Sequence, residues 1–334
     1  MNIHDRIKAF SSLSEALTNN PTMENAVIAA KNKNPWFTQE NILYSINEWK
    51  KNLTYSNIQN WLNQYDLPDN GAEKNIAIIM AGNIPLVGFH DFLCVLMSGN
   101  KAICKLAAAD SVLLPTIAKI LIDIEPRFED KIIFSDSKLP AFDAVIATGS
   151  NNTSRYFDYY FGKYPHIIRH NRNSIAVLDG AESSEELQAL ADDIFLHFGL
   201  GCRSINKLFV PDNYDFCPLI VACEKYSHLF DHHIYRSNID YHKALLLLNG
   251  VPFTDGGFFM LKEDASMYSP VSVVNYERYS NIHEVENYIN THQENLQCVA
   301  GHCIQNSIPF GKTQQPSLHD YADGVDTMLW ISKL

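Results

Sequence analysis

The feature that most restricts what this chain can fold into is an alternation. Short unbroken apolar runs, "NIAIIMAG", "NKAICKLA", "DKIIFSD", "FDAVIATG" and "HIIRH", are interleaved with "GFHDFLCVLMSG", "SVLLPTIAKILIDIEPRF" and "SRYFDYYFGKY", which carry helix-like spacing. A strand that is apolar at every position is buried on both faces, and helical crossovers between such strands keep them parallel. The expected architecture is therefore a doubly wound α/β domain.

The 60 or so residues before it read as helices anchored by Trp36, Trp49 and Trp61. A second βα run opens at "NSIAVLDG". Ser183 followed by Glu186 fits a capping box, and Leu187, Leu190, Ile194 and Phe198 form one apolar stripe that Gly199 and Gly201 bring to an end. After Cys202 come the strand "SINKLFVP", the helix "HEVENYINTH" and the strand "QCVAGHCI". The expected organisation is a helical segment plus cofactor domain over 1–173, a thiol-bearing domain over 174–310, and a tail over 311–334. That tail returns to the first domain or to a dimer partner, and its "MLWISKL" reads as a short strand.

Of the 334 residues 46% are hydrophobic, enough for two cores. The formal net charge of −12 argues against a nucleic-acid binder, which needs basic patches, so any anionic ligand must be held locally. No run approaches the ~18–20 apolar residues of a membrane helix and the first residues have no apolar signal core, so a soluble, cytoplasmic protein is expected. The seven cysteines are scattered without a Cys-x-x-Cys pair and read as free thiols. No metal site is expected, because "DHHIY" and "LHDY" lack zinc-helix spacing and adjacent His232 and His233 point to different faces of a regular element.

No G-x-G-x-x-G follows a strand, which disfavours a conventional dinucleotide fingerprint. In "ATGSNNTS" a strand ends at Gly149 and a helix starts at Ser150: a phosphate site, or an ordinary helix start. Asn83 follows a buried strand directly, where a side-chain amide can serve an oxyanion or simply make a turn. Lys105, at the end of "AICKLA", is a phosphate or ribose contact or a snorkelling surface lysine. Cys202, in "FGLGCRS", is either a thiol capping a helix end or a nucleophile for acyl groups, with Arg203 beside it able to favour the thiolate.

Taken in order, Asn83, Lys105, Gly149 with Ser150, and Cys202 about fifty residues later resemble the aldehyde dehydrogenase superfamily. Within it "GNIPLVGFHDF", "FGLGCRS" and "IPFGKTQQPSLHDYADGVDTM" resemble the LuxC-type acyl-CoA reductases. The resemblance implies two doubly wound α/β domains. It implies that Cys202 takes the acyl group from an acyl-CoA as a thioester, with Asn83 and the Cys202 backbone N–H as oxyanion donors. It further implies a nicotinamide cofactor over Gly149 and Ser150, with Lys105 at its ribose or phosphate, delivering hydride to release an aldehyde. An acyl-protein synthetase partner follows by analogy, and a homo-oligomer is expected.

Departures from the superfamily pattern sharpen this. "RHNRNS" stands where hydrolytic members carry a general-base glutamate, which favours reduction over oxidation to an acid. "SMYSP" replaces the run that supplies a ribose glutamate, leaving Ser266 there. "KLAAAD" has alanine where some members carry the NAD-binding acid. NADPH is therefore expected, with NADH open should Asp110 reach the ribose. Arg169 and Arg172 are either CoA phosphate contacts or a solvated strand end. Two other functions stay open: a cofactor-independent acyltransferase or acyl carrier using Cys202, and a non-catalytic binding protein.

Overall fold

The computed structural model describes residues 1–67, 72–136, 138–149 and 151–334, the side chains of 151–155 excepted. They divide into two compact units, residues 1–171 with 317–334, and residues 172–316. The first begins with α1 (Ile3–Ala16), α2 (Pro21–Lys33), α3 (Gln39–Asn52) and α4 (Tyr55–Leu62). Each starts where a side-chain oxygen can satisfy an otherwise orphan amide: Asn2, Asn20 with Pro21 following it, Thr38 and Thr54. The alternation then gives β1 (Asn75–Ile79), α5 (Phe89–Met97), β2 (Lys101–Lys105), α6 (Leu113–Ile124), β3 (Ile132–Phe134), β4 (Ala144–Thr148), α7 (Asn151–Phe161) and β5 (His166–Arg169).

These five strands form one parallel sheet in the order β3-β2-β1-β4-β5. Period-two alternation sorts their side chains. Ile76, Ile78, Ala102, Cys104, Ala144 and Ile146 join a large core with Phe10, Trp61, Phe92 and Leu121 of the covering helices. Ala77, Val145 and Ala147 face the other way, toward Phe157 and Phe161 of α7. Small residues on this second face let α7 lie close to the sheet.

The second unit contains β6 (Asn173–Val177), α8 (Ser184–Phe195), β7 (Ile205–Pro211), α9 (Cys217–Cys223), α10 (His233–Leu248), β8 (Thr254–Asp255), β9 (Met260–Glu263), β10 (Val273–Tyr279), α11 (Ile282–Thr291) and β11 (Leu296–Ala300). Its sheet runs β11-β6-β7-β10-β9-β8 and is parallel except for the β8–β9 pair. The capping box at Ser183 and Glu186 forms as the sequence predicts. A fully buried lysine, Lys207 on β7, is neutralised by Glu277 at 2.7 Å and donates to the Ala265 carbonyl at 2.7 Å. Its ammonium also lies 5.0 Å from the Phe209 and Tyr288 ring centres.

The tail corrects the strand reading of "MLWISKL". Residues 311–316 belong to the second unit, and "MLWISKL" contains a helix, α12 (Thr327–Ile331), in the first. Asp326 caps it, and Met328 and Ile331, three apart, turn inward together. A pairing strand at this position is thereby removed. Hydrogen bonds from Trp61 and Tyr65 to Tyr321 and Asp326 tie the tail to the N-terminal helices. Among the described residues no helix is long and apolar enough to cross a membrane.

Candidate active site

In a doubly wound sheet, ligands bind outside the carboxyl ends of the strands where the winding direction reverses. In the first unit that point lies between β1 and β4. Register pairs Ile79, the last residue of β1, with Lys105 on one side and Ala147 on the other. Asn83, Lys105 and Gly149 therefore stand at one sheet edge, Asn83 exposed and the other two half-buried. Ser150 lies outside the described residues. The loops that follow β1 and β2 pack closely here, since a Cβ on Gly82 would lie 2.8 Å from the Ala107 Cβ.

Asp110 does not look outward to a ribose. It is 7% exposed and accepts the Leu86 N–H at 2.8 Å, fixing a leucine whose φ is +60°. Its second oxygen is buried with no hydrogen-bond partner among the described residues, and burial pushes the carboxyl up to about 6. With the folded pKa above the unfolded one, the stability Asp110 contributes is full below the unfolded value and lost as pH rises through about 6. Asp110→Asn keeps an acceptor for Leu86 but cannot ionise. Its stability relative to wild type should rise by roughly 2–3 kcal/mol between pH 4 and pH 7.5 in urea unfolding; a pH-independent difference would contradict this.

In the second unit the thiol stands on the opposite kind of edge. Helix α8 stops at Phe195, earlier than the Gly199 the sequence suggested, and Phe198 lies beyond its end. His197 and Phe198 adopt left-handed φ of 54° and 59°, and Gly199 continues at 72°. Left-handed backbone costs a non-glycine residue ~1–2 kcal/mol, so the reversal is held by its surroundings. His197, 5% exposed, is depressed by burial to about 4 and stays neutral near pH 7.

Cys202 then sits half-buried in a turn at the amino ends of β6 and β7. Its carbonyl accepts the Ser174 hydroxyl at 2.8 Å, and the preceding Gly201 N–H reaches Ser204 Oγ at 3.2 Å. Arg203 points to Cys298 Sγ at 3.3 Å. The run holding Ser266 comes to the same edge, where Asn173, first residue of β6, grips the Met267 carbonyl at 2.8 Å. Lys207 and Asn275 fasten the rest of that loop.

Sequence reasoning missed the supports of this turn: Ser174, Ser204, Asp193 and Gln314. One signal was available, since Asp193 is a carboxylate three residues after Leu190 on the buried stripe of α8. Arg169 requires correction on both of its readings. It is 4% exposed, paired with Asp91 through two hydrogen bonds of 2.6 and 3.2 Å, and bound to Ala322 and Thr327. Arg172 is half-buried and donates to the Leu296 carbonyl. His232 and His233 do not diverge: His232 caps α10 from outside and the rings stack at 5.4 Å. Among the described residues Asp179, Glu182 and His302 bring ligand-type atoms within 4.8 Å of one another, at the carboxyl edge away from Cys202. His302 is already engaged there by Asp179 at 3.0 Å and Glu186 at 3.5 Å.

A family model for acyl-CoA reductase (LuxC) matches residues 15–217, more than half of the chain. The chain belongs to the LuxC acyl-CoA reductase family. No curated protein matches it in sequence. Among solved structures it is similar to aldehyde dehydrogenase 21 from Physcomitrella patens, in complex with the reaction product succinate, with TM-score 0.65 and 15% identity over 91% of this chain and 74% of that one. It is also similar to a variant of aldehyde dehydrogenase C from Pseudomonas syringae in complex with NAD+ and octanal: TM-score 0.63, 11% identity, 85% and 69% coverage. The NADP-dependent glyceraldehyde-3-phosphate dehydrogenase of Bacillus halodurans, complexed with NADP, gives 0.62, 14%, 90% and 74%. The fold of this LuxC-family chain is thus that of the aldehyde dehydrogenases, with a parallel sheet in one unit and a mixed sheet in the other.

Proposed function

We propose that this chain reduces a long-chain acyl-CoA to a fatty aldehyde through a thioester on Cys202. The observation that carries the reading is the half-buried thiol of a LuxC-family chain in a turn clamped by Ser174 and Ser204. The Cys202 thiolate attacks the thioester carbonyl carbon. The new S–C bond forms, the C–S bond to CoA breaks, and CoA leaves as a thiolate that takes up a proton. The Cys202 amide donates to the oxygen that gains charge, where one donor is worth ~10²-fold or more in rate.

Reduced nicotinamide, when bound, supplies the hydride that the acyl carbon needs before the S–C bond breaks and aldehyde departs. The residues that would hold it are Gly149, Ser150 and Lys105. Gly149 and Lys105 lie at the carboxyl edge of the first sheet beside the β1–β4 switch point, where doubly wound folds bind such groups, which supports this role. Leu106, Ala107, Ala108 and Ala109 offer no carboxylate to a 2′-phosphate and Asp110 is turned inward, which supports NADPH. The glutamate-free "RHNRNS" run supports reduction over hydrolysis. Steady-state turnover with a C14 acyl-CoA tests this: kcat/KM with NADPH should exceed that with NADH at least ~10-fold, with one aldehyde formed per CoA released. CoA release without NADPH oxidation would replace the reductase by an acyl carrier.

A further inference from the structure

The connection that carries Cys202 is gripped at both ends by one segment. Residues 311–315 lie against α8, where a Cβ on Gly311 (φ +80°) would lie only 2.9 Å from that of Ala189. Asp193, 1% exposed and two residues before the end of α8, accepts the Gly311 N–H at 2.6 Å, the Thr313 N–H at 3.0 Å and the Thr313 hydroxyl at 2.7 Å. One carboxylate with three donors makes a firm clamp. The next residue, Gln314, reaches past the turn: its Nε2 donates at 3.2 Å to Oγ of Ser204, itself 0% exposed, and the same oxygen accepts the Gly201 N–H. Asp193 lies before the left-handed reversal and Ser204 after it.

Resting on the proposed role of Cys202, we infer that Gln314 is a positioning residue for that thiol, holding the Gly201–Cys202 turn through Ser204 while Asp193 anchors the segment. The left-handed run at 197–199 gives the turn its need for such a strap, because backbone in this region relaxes unless neighbouring contacts hold it. Cys202 itself is fixed through its carbonyl by Ser174, so the strap governs the amide side of the residue. The effect belongs to the chemical step and leaves substrate affinity alone.

The test compares Gln314→Ala, Gln314→Met, Ser204→Ala and the Gln314→Met/Ser204→Ala pair with wild type. Three readings are taken: thermal midpoint, kcat and KM for acyl-CoA reduction, and the rate of Cys202 alkylation by iodoacetamide. With midpoints within ~3 °C of wild type, Gln314→Met should lower kcat at least ~5-fold with KM unchanged and shift the alkylation rate at least ~3-fold. Ser204→Ala should match it, and the double variant should be no worse than either single. Gln314→Met keeps the bulk, so it decides the matter even if Gln314→Ala unfolds. Wild-type kcat and alkylation in Gln314→Met, or effects that multiply in the pair, overturn the inference. Alkylation needs no acyl-CoA: should wild type show no reductase activity, the proposed function fails while the alkylation comparison still judges the strap.

Discussion

Replacing Arg169 by methionine should lower the thermal midpoint by roughly 6–20 °C. The guanidinium is 4% exposed and holds Asp91, the Ala322 carbonyl and Thr327 at once, joining β5, α5 and the C-terminal tail. Removing it leaves the Asp91 carboxylate buried without its counter-charge, which costs ~3–5 kcal/mol, and each kcal/mol moves the midpoint of a domain of this size by about 2–4 °C. Asp91→Asn placed on top of Arg169→Met should recover part of the loss, because it removes the stranded charge. Calorimetry of the two variants checks both statements. A shift under ~2 °C for Arg169→Met would mean that the pair contributes nothing. Weaker acyl-CoA binding with an unchanged midpoint would instead restore Arg169 as a phosphate contact.

Replacing Cys202 by alanine should leave the midpoint within a few degrees and cut aldehyde formation on the order of 10³-fold or more. The fold tolerates the change because the Ser174 hydroxyl is taken up by the Cys202 backbone carbonyl. The other cysteines are poor substitutes. Burial pushes up the thiols of Cys94, Cys104, Cys223 and Cys303, and Asp215 pushes up that of Cys217. Cys298 is 4% exposed. Peptide mapping after limiting iodoacetamide should find Cys202 modified at least ~10-fold faster than any of these. Equal labelling across the seven would favour a non-catalytic binding protein.

What the sequence made legible follows from how local each signal is. β1, β2 and β4 show themselves because burial on both faces leaves apolar runs, and α8 begins where Ser183 and Glu186 cap each other. The five-residue α12 is too short for its period to be told from a strand, and only Asp326 marked it as a helix. The end of α8 was misplaced because His197 and Phe198 adopt a conformation normally left to glycine, for reasons of tertiary structure. Arg169 looked exposed because its partner Asp91 lies 78 residues away in the chain. Likewise, the turn that holds Cys202 shows in the sequence through its neighbouring glycines, whereas the hydrogen bond between Gln314 and Ser204, 110 residues apart, leaves no local signal.

The central claim is that Cys202 carries the acyl group, and intact mass spectrometry tests it most directly. Wild type and Cys202→Ala are mixed with tetradecanoyl-CoA without cofactor, and NADPH is then added. The account predicts one acyl unit on wild type, none on the variant, and its loss as aldehyde when NADPH arrives. An acyl unit on Cys202→Ala, or none on wild type with any chain length, would contradict it.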